Sequence, residues 1–415
     1  MRVLHLDGID FSLHKKYFRD PALEALKSLA DQNLSASVRV FGKSPLPRAC
    51  TQVACDYYKC LYDAIIARPF PMQLEDFREV VRCDQEFRLQ HGWPRLDQLR
   101  PTDRKPRDNT KWTEAVATRD LLRQVFSYVT FSDGGWLQWN DVGNCLVRKN
   151  SKIGKIKGDC DRKPWNAARF VMAVRKRNNL TVCPYCNAES IYAIPLLEMR
   201  GRVLRTDLDH FFPQWQYPYL ALSPYNLIPA CNRCNSKGKH SDDPLWHYPG
   251  SAANVQLPEL VVAYPYRHDL HALVKFNYKI ISLNLFSGMA NEAELAIKCM
   301  YEKSPEGKLA KEWVKEFFLR SVYQKIYTRE LRDLPVRWRM CLSTYPETIH
   351  GILSGQKYGG EAMPSLDLAS IRRILLNCSR AADDINNERL SKVTVDLTDQ
   401  LGVGFGDVKD IDKTV

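Results

Sequence analysis

No run of residues in this chain is both long and apolar enough to span a bilayer, and no signal peptide opens it, so membrane-spanning and exported classes are not expected. No internal repeat or low-complexity tract is present, which removes solenoids, arrays and biased tails. A disulfide framework is not expected either. The 13 cysteines leave nine once two Cys-x2-Cys pairs are set aside: Cys50, Cys55, Cys60, Cys83, Cys145, Cys160, Cys299, Cys341 and Cys378. An odd remainder in so long a chain suits a reducing cytoplasm. Cys50, Cys55 and Cys60 drift around a helix and read as small apolar residues. Acidic charge is in deficit, with 48 Asp and Glu against 60 Lys and Arg, a net charge of +12 and a pI near 9.0. That balance favours a polyanionic partner.

What is present is ordinary globular material: 415 residues, 45% hydrophobic and 26% charged, enough for two or three domains with a buried core. The excess positive charge is not spread evenly. Residues 148–177 hold eleven Lys or Arg against Asp159 and Asp161, a local +9 that is three quarters of the formal net charge. The bland reading is a solvated loop followed by a polar helix face. The functional reading is a track for phosphates, with Lys152, Lys155 and Lys157 as contacts.

The track leads into residues 183–240. Here two knuckles, Cys183/Cys186 and Cys231/Cys234, stand 44 residues apart. Each short knuckle presents two sulfurs to one ion, so together they suit a tetrahedral structural Zn²⁺. A zinc module can be purely structural, and the cysteines alone do not argue catalysis. The segment between them adds chemistry. Asp209-His210 and Asn226 lie inside it, and Asn235 follows the last cysteine. Imidazole accepts a proton from water near neutral pH, and an adjacent carboxylate and amide oxygens suit a hard divalent cation. Such a set suits hydrolysis of a phosphodiester. Asp207 shares a strand face with Asp209 and is a further metal-site acid or a structural hydrogen-bond partner. His240 and His247 read as solvated loop residues.

On these residues the stretch resembles an HNH endonuclease, of the His-Me finger or ββα-metal group, in its zinc-supported form. The resemblance covers residues 165–250. It implies Asp209 as the metal-binding acid, His210 as the general base, Asn226 as the residue tying the loop that orients the histidine, and Asn235 as a ligand for catalytic Mg²⁺ or Mn²⁺. It implies Lys237 near the scissile phosphate. Arg233, inside the second knuckle, reads equally as a nucleic-acid contact or as a surface charge. The implied substrate is double-stranded DNA, left with 5′-phosphate and 3′-hydroxyl ends; RNA stays open, since the motif engages a backbone rather than a sequence. A weaker likeness through YPYRHDLHALVKFNYK, 264–279, resembles HNH proteins encoded beside bacterial anti-phage systems, such as the Septu and retron-linked nucleases. It implies a partner protein such as an ATPase or sensor.

The expected fold class is α+β, with mostly helical flanks around a central ββα-metal module. Three regions are expected: 1–147, mainly helical and without an assigned role; 148–250, the basic lead-in and nuclease module; and 251–415, mainly helical, a partner or nucleic-acid surface. In detail the pattern predicts strands at 2–6, 37–41, 191–197, 203–208, 260–264 and 276–283. It predicts helices at 21–31, 49–68, 73–90, 111–130, 165–177, from 231 onward, 291–302, 308–333 and 366–390. The alternative to an enzyme is a non-catalytic zinc module that positions nucleic acid or a protein partner. The complete Asp-His/Asn/Asn set counts against it, since binding needs no general base.

Overall fold

Helix caps written in the sequence set the N-terminal architecture of the computed structural model. The structure describes residues 3–95, 98, 109–149, 166–195, 203–239, 242–246, 255–269, 273–283, 290–317, 319–322, 357–358 and 361–362. A short helix α1, Ser12–His14, runs through a π-helical turn, Lys15–Arg19, into α2, Asp20–Ala30, with Pro21 in its first turn. Thr51 caps α3, Gln52–Ile66, by accepting from the Ala54 amide. Gln73 and Asp76 form a capping box on α4, Leu74–His91, and Gly92 closes it with φ of 65°. Asn109 and Ser127 cap α5, Thr110–Val125, and α6, Tyr128–Ser132. The single helix predicted over 111–130 is therefore two, broken at Phe126–Ser127.

The strands β1, Arg39–Val40, β2, Trp136–Asn140, and β3, Cys145–Lys149, form one sheet in the order β1-β3-β2. β1 runs parallel to β3, and β2 antiparallel to it. The boundary expected at 147/148 falls inside β3. No strand forms at residues 3–6; Leu4 and Leu6 are nonetheless buried, and the Leu4 amide donates to Pro265 O. Asn166 then caps α7, Ala167–Asn178, which ends at Asn179 with φ of 46°.

The central segment departs from the expected pair of strands. β4, Ala193–Pro195, and β5, Val203–Arg205, do form an antiparallel hairpin. The chain breaks at Thr206 and starts a separate strand, β6, Asp207–His210. That strand pairs not with the hairpin but with β7, Leu227–Ala230, placing Asp209 opposite Ile228 and His210 opposite Leu227. β7 is four buried residues in a row, Leu-Ile-Pro-Ala, so it lacks the alternation that announces a half-buried strand. A helical segment, Arg233–Lys239, follows with π-type winding and carries Asn235 and Lys237.

Beyond it, β8, Leu245–Trp246, pairs with β9, Glu259–Leu260, a shorter strand than the expected 260–264. A long antiparallel hairpin joins β10, Val274–Leu283, to β11, Ala290–Cys299. The helix predicted at 291–302 is this second strand. Its pattern, ANEAELAIKC, has good helix formers, and pairing with β10 overrides them. α8, Pro305–Glu316, capped by Ser304, and α9, Leu319–Val322, occupy the start of the predicted 308–333 helix. The 366–390 helix lies outside the described residues. β12, Lys357–Tyr358, and β13, Glu361–Ala362, form a minimal pair.

The fold class is thus α+β, mixed helix and strand as expected. One continuous core joins Leu4 to Leu319. Phe77 of α4 meets Phe212 edge to face at 5.4 Å, and Phe211 packs on Tyr264 at 4.7 Å. The N-terminal helices are therefore packed directly on the segment that follows His210. No helix among the described residues is long and apolar enough to cross a membrane.

Candidate active site beside a four-cysteine cluster

Cys183, Cys186, Cys231 and Cys234 come together as the spacing implies. All four are buried, and their sulfurs lie within 4.8 Å of one another. Cys186 Sγ and Cys231 Sγ are 3.9 Å apart. Zinc–sulfur bonds of about 2.3 Å in a tetrahedron place sulfurs about 3.8 Å apart, so the cluster fits such an ion. The backbone supports it: the Cys231 amide donates to Cys183 Sγ at 3.4 Å and the Cys234 amide to Cys231 Sγ at 3.5 Å. Asn187 closes the first knuckle in a left-handed conformation, φ 52°, with its amide on Cys183 O. These four cysteines can hold a metal such as zinc. Cys50, Cys55 and Cys60 are free thiols on or beside α3, with Cys55 fully inside the core, as their small apolar reading requires.

The first knuckle also reaches the acid. Tyr185, between its two cysteines, donates its hydroxyl to Asp209 Oδ2 at 2.5 Å and stacks on Phe317 at 4.3 Å. Asp209 is only 2% exposed, and its other oxygen lies 3.5 Å from Lys239 Nζ. Lys239, itself 1% exposed, donates to His210 O at 2.8 Å. A carboxylate this deep needs such partners, because desolvation of an unpaired charge is costly.

His210 stands next on β6. Its Nε2 lies 3.1 Å from Ala221 O, and a carbonyl can only accept, so Nε2 carries the proton and Nδ1 keeps its lone pair. Tyr128 meets the ring edge-on at 4.3 Å. Burial pulls the His210 pKa down to about 3, and the Lys239 charge acts in the same sense. The ring is neutral at physiological pH and has an acceptor nitrogen.

Asn226 holds the loop that brings Ala221 to the histidine. Its Oδ1 accepts from the Phe212 amide at 2.7 Å, and its Nδ2 donates to Phe212 O at 3.1 Å and Leu220 O at 3.0 Å. Prolines begin the short turns between: Pro213 accepts from two amides, and Pro218 and Pro224 open 3₁₀ turns. Tyr264 and Tyr266 brace the same segment through Tyr225 O and Leu227 O, both at 2.6 Å.

Asp207, Asp209, His210 and Asn235 line one cavity of about 390 Å³. Asp207 accepts from Asn232 Nδ2 at 3.1 Å. Asn226 lies behind this wall, fully buried. Arg233 is not among the residues lining this cavity; its guanidinium is half-buried and pairs with Glu189 at 3.4 Å beside the knuckle. Lys237 is exposed and is not part of the cavity wall. Lys152, Lys155 and Lys157 lie outside the described residues, as do His240 and His247.

Further lining residues have no counterpart among the sequence expectations. Arg205, Arg123, Tyr128 and Ser132 are among them, and Arg205 donates to Ser132 Oγ at 2.9 Å. Burial pushes the Tyr128 phenol up to about 12, so it remains a neutral hydroxyl. Arg205 had a signal: Arg205, Asp207 and Asp209 recur with period two. Arg123, Tyr128 and Ser132 had none, arriving from α5 and α6 far upstream. Two guanidinium groups thus line the same cavity as two carboxylates, an amide and a neutral imidazole. Comparison with protein-family models, curated proteins and solved structures finds no match for this chain.

Proposed function

We propose that this chain is a metal-dependent endonuclease of the HNH kind, hydrolysing phosphodiester bonds in DNA. The observation that carries the reading is the neutral His210, its Nε2 tied to Ala221 O, beside Asp209, Asn235 and two arginines on one cavity. His210 Nδ1 would take a proton from water lying in the cavity, and the Ala221 carbonyl would stabilise the imidazolium that forms. Arg205 and Arg123 would hold the non-bridging phosphate oxygens, a planar fork against a tetrahedral anion. The oxygen donors Asp207, Asp209 and Asn235 suit a hard cation, and Mg²⁺ or Mn²⁺ held by Asp209 and Asn235 would supply positive charge to the leaving oxygen. Asn226 and Tyr185 would act by holding His210 and Asp209 in place.

One observation favours a second reading. Both oxygens of Asp209 have protein partners, Tyr185 and Lys239, which a purely structural carboxylate would also have. In that reading the four-cysteine cluster stabilises a nucleic-acid or partner-binding module. Plasmid cleavage with Mg²⁺, with EDTA, and by His210→Ala separates the two. The nuclease reading expects Mg²⁺-dependent cutting that the variant loses while it still folds. No cutting of DNA or RNA, with a partner ATPase or sensor supplied, would leave the module. Action within an anti-phage defence system belongs to the nuclease reading.

A further inference from the structure

The segment 218–222 decides where Ala221 O sits, and that carbonyl fixes the His210 tautomer. Beside the Asn226 bond to Leu220 O, two of its contacts run to the N-terminal helices, to which the sequence assigns no role. Tyr219 donates its hydroxyl to Asp84 Oδ2 at 2.8 Å, across 135 residues of sequence. Asp84 and Arg88 form an i,i+4 ion pair of 2.7 Å on α4, both fully buried. Tyr57 of α3 donates to Asp84 Oδ1 at 2.9 Å and accepts from Arg88 at 3.0 Å. Three residues beyond Tyr219, Leu222 O accepts from His14 Nε2 at 2.6 Å. His14 is fully buried among Phe18, Phe70 and Phe131. Burial holds it neutral, with a pKa near 4, so it acts as a fixed donor.

Ala221 therefore lies between two anchors, both planted in the N-terminal helices. A buried ion pair is weak evidence for stability, because apolar residues of similar volume often do as well. Here the pair offers a fixed acceptor in a defined direction, and Tyr219 uses it. We infer that Tyr219 and His14 are positioning residues for His210, through which the N-terminal helices set the place of Ala221 O and hence the ring tautomer. The inference rests on the reading of His210 as the general base. It gives residues 1–140 a share in the chemistry without contact with substrate.

The test uses the full chain labelled with ¹⁵N-histidine, with the His210 ring signal assigned by its loss in His210→Ala. Tyr219→Phe keeps the ring and removes the hydroxyl. Tyr57→Phe removes a hydroxyl from the same Asp84 but does not touch the segment. Tyr219→Phe is expected to mix the Nε2-protonated form of His210 with its other tautomer. It should also lower kcat about ten- to a hundredfold with KM little changed, the cost of a small misplacement of the base. Tyr57→Phe should retain the native ring signal and native kcat. His14→Phe, tested separately, should act as Tyr219→Phe does and covers the case in which that variant does not fold. An unaltered His210 ring signal in folded Tyr219→Phe and His14→Phe overturns the inference, as does an equal effect in Tyr57→Phe. A native protein that cuts nothing, yet whose tautomer responds to Tyr219→Phe and not to Tyr57→Phe, upholds the positioning and sinks the nuclease reading.

Discussion

The Asp209–Lys239 pair can be measured by a double-mutant cycle. The ammonium stands 3.5 Å from Asp209 Oδ1, with both side chains almost wholly out of water. At that distance and an effective dielectric of about 20, Coulomb's law gives an attraction of about 5 kcal/mol. Removing one partner leaves a buried uncompensated charge, a loss of about 3–5 kcal/mol. Lys239→Met keeps the unbranched stem and removes the charge, along with the bond to His210 O. Asp209→Asn keeps the shape and an oxygen for Tyr185. Each single variant should lower unfolding stability by about 3–5 kcal/mol. The double variant should lose much less than the sum of the two single losses, the difference being a coupling of about 2 kcal/mol or more. Urea unfolding of the four proteins at one pH, followed by tryptophan fluorescence, reads the cycle. Additivity within about 0.5 kcal/mol would refute the pairing. The same geometry bears on metal. An ammonium this close repels any cation at Asp209, so Lys239→Met should bind Mn²⁺ more tightly in a calorimetric titration; weaker binding would place the cation elsewhere.

Three further expectations are independent of that pair. Zinc should co-purify at one ion per chain and resist dialysis; Cys231→Ser should lose it and unfold the segment around the cluster, which metal analysis and hydrogen exchange will read. Acid should weaken the fold through His14: its folded pKa near 4 lies below the unfolded value of about 6.5, so the unfolded state binds the extra proton and stability falls as pH drops from 6.5 toward 4. His14→Phe should flatten that slope by up to about 1.4 kcal/mol per pH unit in unfolding curves between those limits. Arg205→Gln together with Arg123→Gln should weaken DNA binding across unrelated sequences and make the log–log salt slope shallower by about 1.8, roughly 0.9 per contact; an unchanged slope would remove both from the phosphate.

Much of the site was legible because its signals are short-range. The knuckle spacing announced the cysteine cluster, and the apolar periodicity of 49–68 announced the helix α3. Asp209, His210 and Asn235 needed only the order of residues along 50 positions. What escaped notice depends on distant packing. β11 reads as helix by propensity and becomes strand only through its partner β10. β7 is buried on every residue and shows no alternation. The cavity lining owes Arg123 to α5, and nothing near residue 123 points to a cavity at residue 209. The Arg233–Glu189 pair joins residues 44 apart in sequence, and nothing in the order of residues around the second knuckle announces it.

The winding of the Arg233–Lys239 segment matters for what faces inward. Cys234 and Lys239 are five residues apart, and both are about 1% exposed, one on the sulfur cluster and the other beside Asp209. In an α-helix five steps of about 100° would leave them about 140° apart, and one of them would turn to solvent. Hydrogen bonding from i to i+5 sets such residues nearly above one another. The wider coil thus works as a phase adjuster, keeping a cysteine sulfur and an ammonium on one face of the segment. Deleting Ser236 would leave the two four residues apart, a spacing that an ordinary α-helical turn already sets about 40° apart, so the shortened segment should keep both inward by giving up its π winding.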